Sequence, residues 1–150
     1  MRTGRPFIDK AGTRRINVPV FMPAGSRAWL STFGNGNASR GLRRAWLLAA
    51  YVEANMEAFI KLLKYSVVFE MLGLYGSRVT GPVPEKVSFS MAREMSDQIR
   101  YFGGSANGRS EAVRWMTRGA RFIVSHLSEL SQVPDEIVSG LLALLEEEVR

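Results

Sequence analysis

The chain has 150 residues, of which 46% are hydrophobic and 23% are charged, a composition typical of a folded domain rather than of a disordered chain. It contains no cysteine, which excludes disulfide scaffolds and thiolate zinc sites and agrees with a reducing cytoplasm. We therefore expect residues 1–150 to form one compact unit in the cytoplasm, with no segment apolar enough to span a membrane.

The positive charge of the chain is concentrated near its start. Residues 1–44 hold nine basic residues against one acidic residue, a net charge of +8, whereas the last 25 residues have a net charge of −5. A basic segment of this kind attracts polyanions such as nucleic acids. We interpret residues 1–13 as a basic arm for the minor groove of DNA, because Arg lies near Gly and Pro, with a flexible basic tail as the alternative. The charges counted with this arm are Arg2, Arg5, Lys10 and Arg14.

Two segments of the chain match when the sequence is laid on itself with a shift of 71 residues. Residues 16–20 then align with residues 87–91, and each segment alternates apolar with polar positions, which indicates a half-buried strand. Because so short a strand is not stable alone, we predict that the two pair as one antiparallel ribbon. The expected apolar neighbours are Val18 opposite Phe89, Ile16 near Met91 and Val20 near Val87.

Each predicted strand is followed by the pattern of a short helix, a turn and a longer helix. The short helices are predicted over residues 23–33 and 93–102, and Ser39 and Ser110 are the candidate N-caps of the longer helices. Apolar stripes at helical spacing follow each cap and should face the core. The stripes are Leu42, Ala45, Trp46, Ala49 and Val52 in the first helix, and Val113, Met116, Ala120 and Ile123 in the second.

The repeat divides the chain into a first copy, residues 14–53, and a second copy, residues 85–124. Residues 54–84 are predicted as a helical linker and loop, and residues 125–150 as an acidic helical segment. The acidic segment either packs on the core or binds a second protein or a second copy of the chain. The predicted fold class is mostly α, with one two-stranded antiparallel ribbon, two ribbon and helix units forming an intramolecular pseudo-dimer, and extra helices.

Two short motifs in the second copy carry a family resemblance. They are the strand KVSFSM at residues 86–91 and the helix entry NGRSEAVR at residues 107–114. Together they resemble the ribbon-helix-helix DNA-binding proteins, the superfamily of the Arc and MetJ repressors. The first copy matches more weakly, and the presence of both copies in one chain is similar to the tandem members of that family. The resemblance covers about half of the chain.

The resemblance implies that the paired strands enter the major groove of double-stranded DNA, where outward side chains read base edges. By position these are Arg15, Asn17, Pro19, Lys86, Ser88 and Ser90. Because Pro19 offers only apolar contact, the two half-sites should differ in sequence. The resemblance also implies that the start of each longer helix contacts a phosphate. By position these contacts fall to Asn37, Ser39, Arg40, Arg109 and Ser110.

No group of side chains suggests catalysis or a cofactor, since His126 is the only histidine and the three tryptophans are expected to be structural. We therefore expect a sequence-specific DNA-binding protein without enzymatic activity. Its role would be that of a transcriptional repressor or of an accessory factor in DNA transfer or packaging, with self-association on DNA or a protein partner through the C-terminal helix. The alternatives are an antitoxin-like or viral protein-binding helical module, in which DNA binding is secondary or lost, and an RNA-binding basic protein.

Overall fold

The computed structural model describes residues 14–62, 85–102 and 108–146, and these residues form two strands and seven helices. The first elements are β1 (Arg15–Met22), α1 (Ser26–Phe33), α2 (Ala38–Ala54) and α3 (Met56–Leu62). They are followed by β2 (Glu85–Ala92), α4 (Arg93–Arg100), α5 (Gly108–Ser125), α6 (Leu127–Leu130) and α7 (Glu136–Glu146). The order of strand, short helix and longer helix therefore occurs twice, and the described part of the chain is mostly helical.

The two strands pair antiparallel and form a two-stranded ribbon. The predicted register is confirmed, because Val18 lies opposite Phe89, with Ile16 opposite Met91 and Val20 opposite Val87. Each strand has eight residues and is longer than predicted. In β1 the alternation continues past Val20, because Phe21 is exposed and Met22 is completely buried.

The apolar face of the ribbon covers the hydrophobic core. All nine residues of the two predicted helical stripes are buried with it, which confirms the faces predicted for α2 and α5. Trp46 and Trp115 are buried, as expected of structural residues, and the half-buried Trp29 stacks on Phe33 with 4.8 Å between ring centroids. Full burial of one large apolar side chain stabilises a fold by about 1.5–3 kcal/mol, so this shared core holds ribbon and helices together. The buried side chains on the inward face of the ribbon are Val18, Val20, Met22, Val87, Phe89 and Met91, and Ala92 at the end of β2 is also buried.

The starts of the two longer helices differ from the prediction. Asn37 is the N-cap of α2: its backbone is extended and its side-chain oxygen accepts a hydrogen bond from the Arg40 N–H at 3.0 Å. The prediction that Ser39 caps this helix is therefore wrong, and Ser39 is its second residue. Ser110 is likewise the third residue of α5, which begins at Gly108, where a φ of 80° favours glycine. Because Asn37 caps α2, the Ser39 hydroxyl is available for another contact.

The short helices are confirmed with shifted ends. The first begins at Ser26 rather than Pro23, because Pro23 to Gly25 form a turn in which Gly25 has a φ of 85°. The second ends at Arg100. Of the predicted helical linker, α3 is described, whereas residues 63–84 lie outside the described residues, as do residues 1–13.

The acidic segment packs on the core, which is the first of the two alternatives left open by its sequence; binding of a partner through this segment stays a prediction. In α7, Val138 and Leu141 are completely buried. The Tyr51 hydroxyl of α2 donates a 2.6 Å hydrogen bond to the Ile137 carbonyl. A Cβ placed on Gly140 would lie 2.3 Å from the Tyr51 hydroxyl oxygen, so the two helices approach closely at this glycine. The helix therefore completes the core beside α2.

Candidate nucleic-acid interface

The outward face of the ribbon brings the predicted base-reading residues together. Across the ribbon, Asn17 lies opposite Ser90, and Pro19 lies opposite Ser88. Ser90 is half-buried and the other predicted readers are exposed. The set gathered on this face is Arg15, Asn17, Pro19, Lys86, Ser88 and Ser90.

Phe21 also lies on this face, and the sequence analysis did not include it. Its side chain is 51% exposed, and it lies directly opposite Lys86. The sequence did indicate this position, because Phe21 follows Asn17 and Pro19 at intervals of two residues, and such residues share one face of a strand. The neighbouring apolar residues Val20 and Met22 obscured this alternation. The outward face thus combines polar and charged side chains with an exposed aromatic ring.

The ribbon has an approximate twofold axis through the pair of Val18 and Phe89, because these two residues are opposite each other and are also related by the 71-residue shift. The same shift relates Arg15 to Lys86, so each end of the outward face carries one predicted cationic reader. It also relates Phe21 to Ala92, which is completely buried. The exposed aromatic ring therefore has no counterpart at the other end.

The charges at the two ends of the ribbon also differ. At one end Arg15 pairs with Ala92, and the exposed Arg14 and Arg93 immediately flank this pair along the chain. At the other end Lys86 is adjacent to the half-buried Glu85. The first end therefore carries more positive charge, with Arg14 and Arg15 from the first copy and Arg93 from the second. The arm residues Arg2, Arg5 and Lys10 lie outside the described residues.

Helix α2 holds both backbone polar groups of Ser90. The Ser90 N–H donates to the Ser39 hydroxyl at 2.8 Å, and Arg43 Nη1 donates to the Ser90 carbonyl at 3.4 Å. Arg43 is only 4% exposed, so its guanidinium belongs to the interior. We call Ser39 and Arg43 the first anchor, because they fix the outer edge of β2 to the start of α2.

Helix α5 holds a residue of β1 in the same way. The Phe21 N–H donates to the Ser110 hydroxyl at 3.2 Å, and Arg114 Nη1 donates to the Phe21 carbonyl at 2.7 Å. Arg114 also forms an ion pair with the buried Glu111 one turn earlier. We call Ser110 and Arg114 the second anchor.

The two anchors are related by the sequence repeat, but the strand residues that they hold are not. A shift of 71 residues carries Ser39 and Arg43 onto Ser110 and Arg114. The same shift relates Ser90 to Pro19, which has no N–H to donate. The second anchor instead holds Phe21, the next residue on the strand with the same orientation. The two strands are therefore held at positions that the repeat does not relate, and Pro19 occupies the position where the symmetrical contact would be.

Contacts at the helix starts bear on the predicted phosphate-binding residues. The Ser39 and Ser110 hydroxyls each accept a strand N–H, and the Arg40 N–H is already bound to Asn37. Arg109 Nη1 donates at 3.0 Å to the hydroxyl of Ser96 in α4. The side chains of Asn37, Ser39, Arg109 and Ser110 therefore have structural roles, whereas Arg40 takes part through its backbone N–H. Contact of all five residues with phosphate stays a prediction.

Part of the positive charge in residues 1–44 is used inside the protein. Arg44 donates to the carbonyls of Phe33 and Leu145, and its guanidinium lies over the Phe33 ring, 4.3 Å from the centroid. Burial lowers the pKa of Arg44 from its ordinary value. Since Arg44 is half-buried and Arg43 is buried, the net charge of this segment overstates the positive charge that it presents to a partner.

The remaining observations concern metal binding, membrane-spanning helices and the comparisons with known proteins. His126 stacks on Phe122 with 3.9 Å between ring centroids, and the described residues contain no cluster of His, Cys, Asp and Glu able to hold a metal ion. In the same residues no helix combines the length and apolar character needed to cross a membrane.

A scan against protein-family models, a search of curated proteins and a search of solved structures each returned no match.

Proposed function

We propose that this chain binds double-stranded DNA sequence-specifically by placing the outward face of its ribbon in the major groove, as a single-chain pseudo-dimer of ribbon-helix-helix type. The observation that carries the proposal is the antiparallel ribbon, which gathers the predicted readers on one exposed face. A major groove about 12 Å wide admits a two-stranded β-ribbon. The biological role of the protein would be to repress transcription or to assist in DNA transfer or packaging.

The exposed side chains have the chemistry needed for base recognition. Arg15 and Lys86 are able to donate to the O6 and N7 atoms of guanine, and the amide of Asn17 matches the N6 and N7 atoms of adenine. Ser88 adds a hydroxyl that both donates and accepts. Since the two cations lie at opposite ends of the face, the ribbon would recognise bases on both sides of its approximate twofold axis.

The anchors support the proposal because they hold the ribbon in place before DNA arrives. A reading surface that is ordered in the free protein loses less conformational entropy on binding. The anchors also bring the starts of α2 and α5 beside the ribbon, since Ser39 contacts Ser90 and Ser110 contacts Phe21. The positive ends of these helix dipoles would then lie near the phosphates that border the groove.

A protein-binding helical module is the second candidate function. One observation favours it: Met56 and Ile60, one helical turn apart in α3, are 39% and 50% exposed. The acidic helix α7 already buries Val138 and Leu141 in this chain, so a partner bound through that helix would contact its other residues. Failure to bind any duplex at low salt would favour this second function.

Selection of bound fragments from random duplex DNA tests the proposal, followed by affinity measurements over a range of salt concentrations. We expect a defined sequence to be enriched, and its affinity to fall steeply with salt. Asn17→Ala and Ser88→Ala should each weaken binding by about 1–3 kcal/mol and relax selection at one position. Lys61→Ala, which removes an exposed cation of α3, is the control and should leave the selected sequence unchanged. Equal affinity for all duplexes, or unaltered selection by both ribbon variants, would contradict the proposal.

A further inference from the structure

Phe21 is an exposed aromatic residue that the fold cannot turn inward. Its neighbours Val20 and Met22 are completely buried, and the alternation of a strand then directs Phe21 to the opposite face. Both of its backbone polar groups are held by the second anchor. If the pairing register of β1 shifted by one residue, those hydrogen bonds would break. Phe21 would then enter the core, but Val20 and Met22 would become exposed.

The ring continues an apolar strip along one strand of the outward face. Pro19 and Phe21 are two residues apart in β1, so they are successive side chains on the same face. The residues opposite them, Ser88 and Lys86, are polar. At the other end of the ribbon the residue related to Phe21 is the buried Ala92, so only one half of the face carries this strip.

We propose that Pro19 and Phe21 recognise thymine methyl groups, with Phe21 contacting a thymine at the Lys86 end of the bound sequence. This inference rests on the proposed insertion of the ribbon into the major groove. The C5-methyl of thymine is the apolar group that base edges present in that groove. Burying an apolar ring against the other edges would leave their donors and acceptors without partners, which is unfavourable.

The proposal divides the binding site into two chemically different halves. The half beneath Phe21 and Lys86 requires a thymine at the position of the ring. The half beneath Arg15 and Asn17 is read through hydrogen bonds, because no exposed aromatic ring lies at that end of the described ribbon. The selected sequence would therefore be an imperfect palindrome, with its dependence on methyl groups confined to one half.

Deoxyuridine scanning tests the inference directly, since replacing deoxythymidine by deoxyuridine removes the methyl group and leaves base pairing intact. Each thymine of the selected duplex is replaced in turn, and affinities are measured for the intact chain and for Phe21→Ala. For the intact chain we expect about fourfold weaker binding at each of two positions in one half-site, one beneath Pro19 and one beneath Phe21, which is the effect of one buried methyl group at each position. In Phe21→Ala, duplexes with deoxyuridine or deoxythymidine at the position beneath the ring should bind equally well, whereas the methyl dependence at the position beneath Pro19 should remain.

Two further variants separate recognition from folding. Phe21→Leu keeps an apolar side chain and should retain part of the methyl dependence. Ile60→Ala removes a similarly exposed apolar side chain from α3 and should leave the dependence unchanged. Circular dichroism and thermal unfolding of Phe21→Ala should match those of the intact chain, because its anchor contacts are made by the backbone.

Two results would overturn the inference. One is an intact chain that binds the selected duplex with no methyl dependence, and the other is an unchanged methyl dependence in Phe21→Ala. If Asn17→Ala and Ser88→Ala still alter selection, only the role of Phe21 fails. If the intact chain selects no duplex at all, the proposed function fails together with this inference.

Discussion

The Ser110 hydroxyl accepts a hydrogen bond from the backbone N–H of Phe21, a residue 89 positions earlier in the chain. The corresponding serine of the first copy, Ser39, accepts from Ser90. These contacts tie each strand to the longer helix of the other copy. They make the ribbon and the helix starts one structural unit, so changes in one are expected to affect the other.

Ser39→Ala should destabilise the fold more than Ser110→Ala. The bond to Ser90 is partly buried, so its loss leaves a strand N–H with poor access to water and should cost about 1–2 kcal/mol. The bond to Phe21 is exposed, and water can replace the hydroxyl there at a cost of about 0.5 kcal/mol. Chemical denaturation of both variants measures the difference, with Ser128→Ala on the exposed surface of α6 as the control. Equal losses of stability in the two variants would contradict the conclusion that the bond to Ser90 is more buried than the bond to Phe21.

Pro19→Ser should make the bound DNA sequence more symmetrical. It restores the N–H and hydroxyl that Ser90 has at the position related by the repeat, and it removes an apolar contact. Selection from random DNA should then yield half-sites that are more alike at the two central positions than those of the intact chain. Ser88→Thr is a useful control, because it changes the same face without altering the backbone donors. If the two half-sites selected by Pro19→Ser differ as much as those of the intact chain, Pro19 is not the cause of the difference between them.

Gly41→Ala should destabilise the first copy strongly. A Cβ at Gly41 would lie 1.8 Å from the Leu30 carbonyl oxygen, so α1 and α2 would have to separate, at a cost of at least about 1–3 kcal/mol. Gly140→Ala is the matched comparison, because its Cβ would meet only the end of the Tyr51 side chain, which is able to move. Thermal and chemical unfolding should rank Gly41→Ala as the more damaging change. A reversed order would contradict the close approach of α1 and α2.

Tyr51 should make stability fall at alkaline pH. Burial, with a further contribution from the negative charge of Asp135, raises the pKa of Tyr51 above its unfolded value of 10.0. The unfolded chain therefore loses the phenol proton first, so this contribution to stability is present below pH 10 and is lost as the pH rises through the folded pKa.

Tyr51→Phe tests this dependence. The variant should be less stable at neutral pH by about 1 kcal/mol, because the hydrogen bond to the Ile137 carbonyl is lost. The difference between the two proteins should shrink above pH 10. Unfolding free energies measured between pH 7 and pH 11 check both statements. A constant difference across that range would mean that Tyr51 titrates alike in the folded and unfolded chains.

Local periodicity was sufficient to predict the ribbon and its register. An alternation of period two decides which side chains of a strand share a face, and the repeat placed Val18 opposite Phe89. Helical spacing likewise predicted the buried stripes of α2 and α5, all of whose members lie in the core. These features depend on neighbouring residues, so they can be recognised from the sequence.

The tertiary structure decided which groups are used internally and which remain for a partner. Arg43 counts as a positive charge in the sequence, but it is buried and donates to the Ser90 carbonyl. Ser39 has the residue type of an N-cap, but Asn37 caps the helix and Ser39 holds a strand instead. Phe21 is apolar, but its position in the strand leaves it exposed. Each outcome depends on an element distant in sequence that packs beside the residue, and residue type and spacing do not encode that contact.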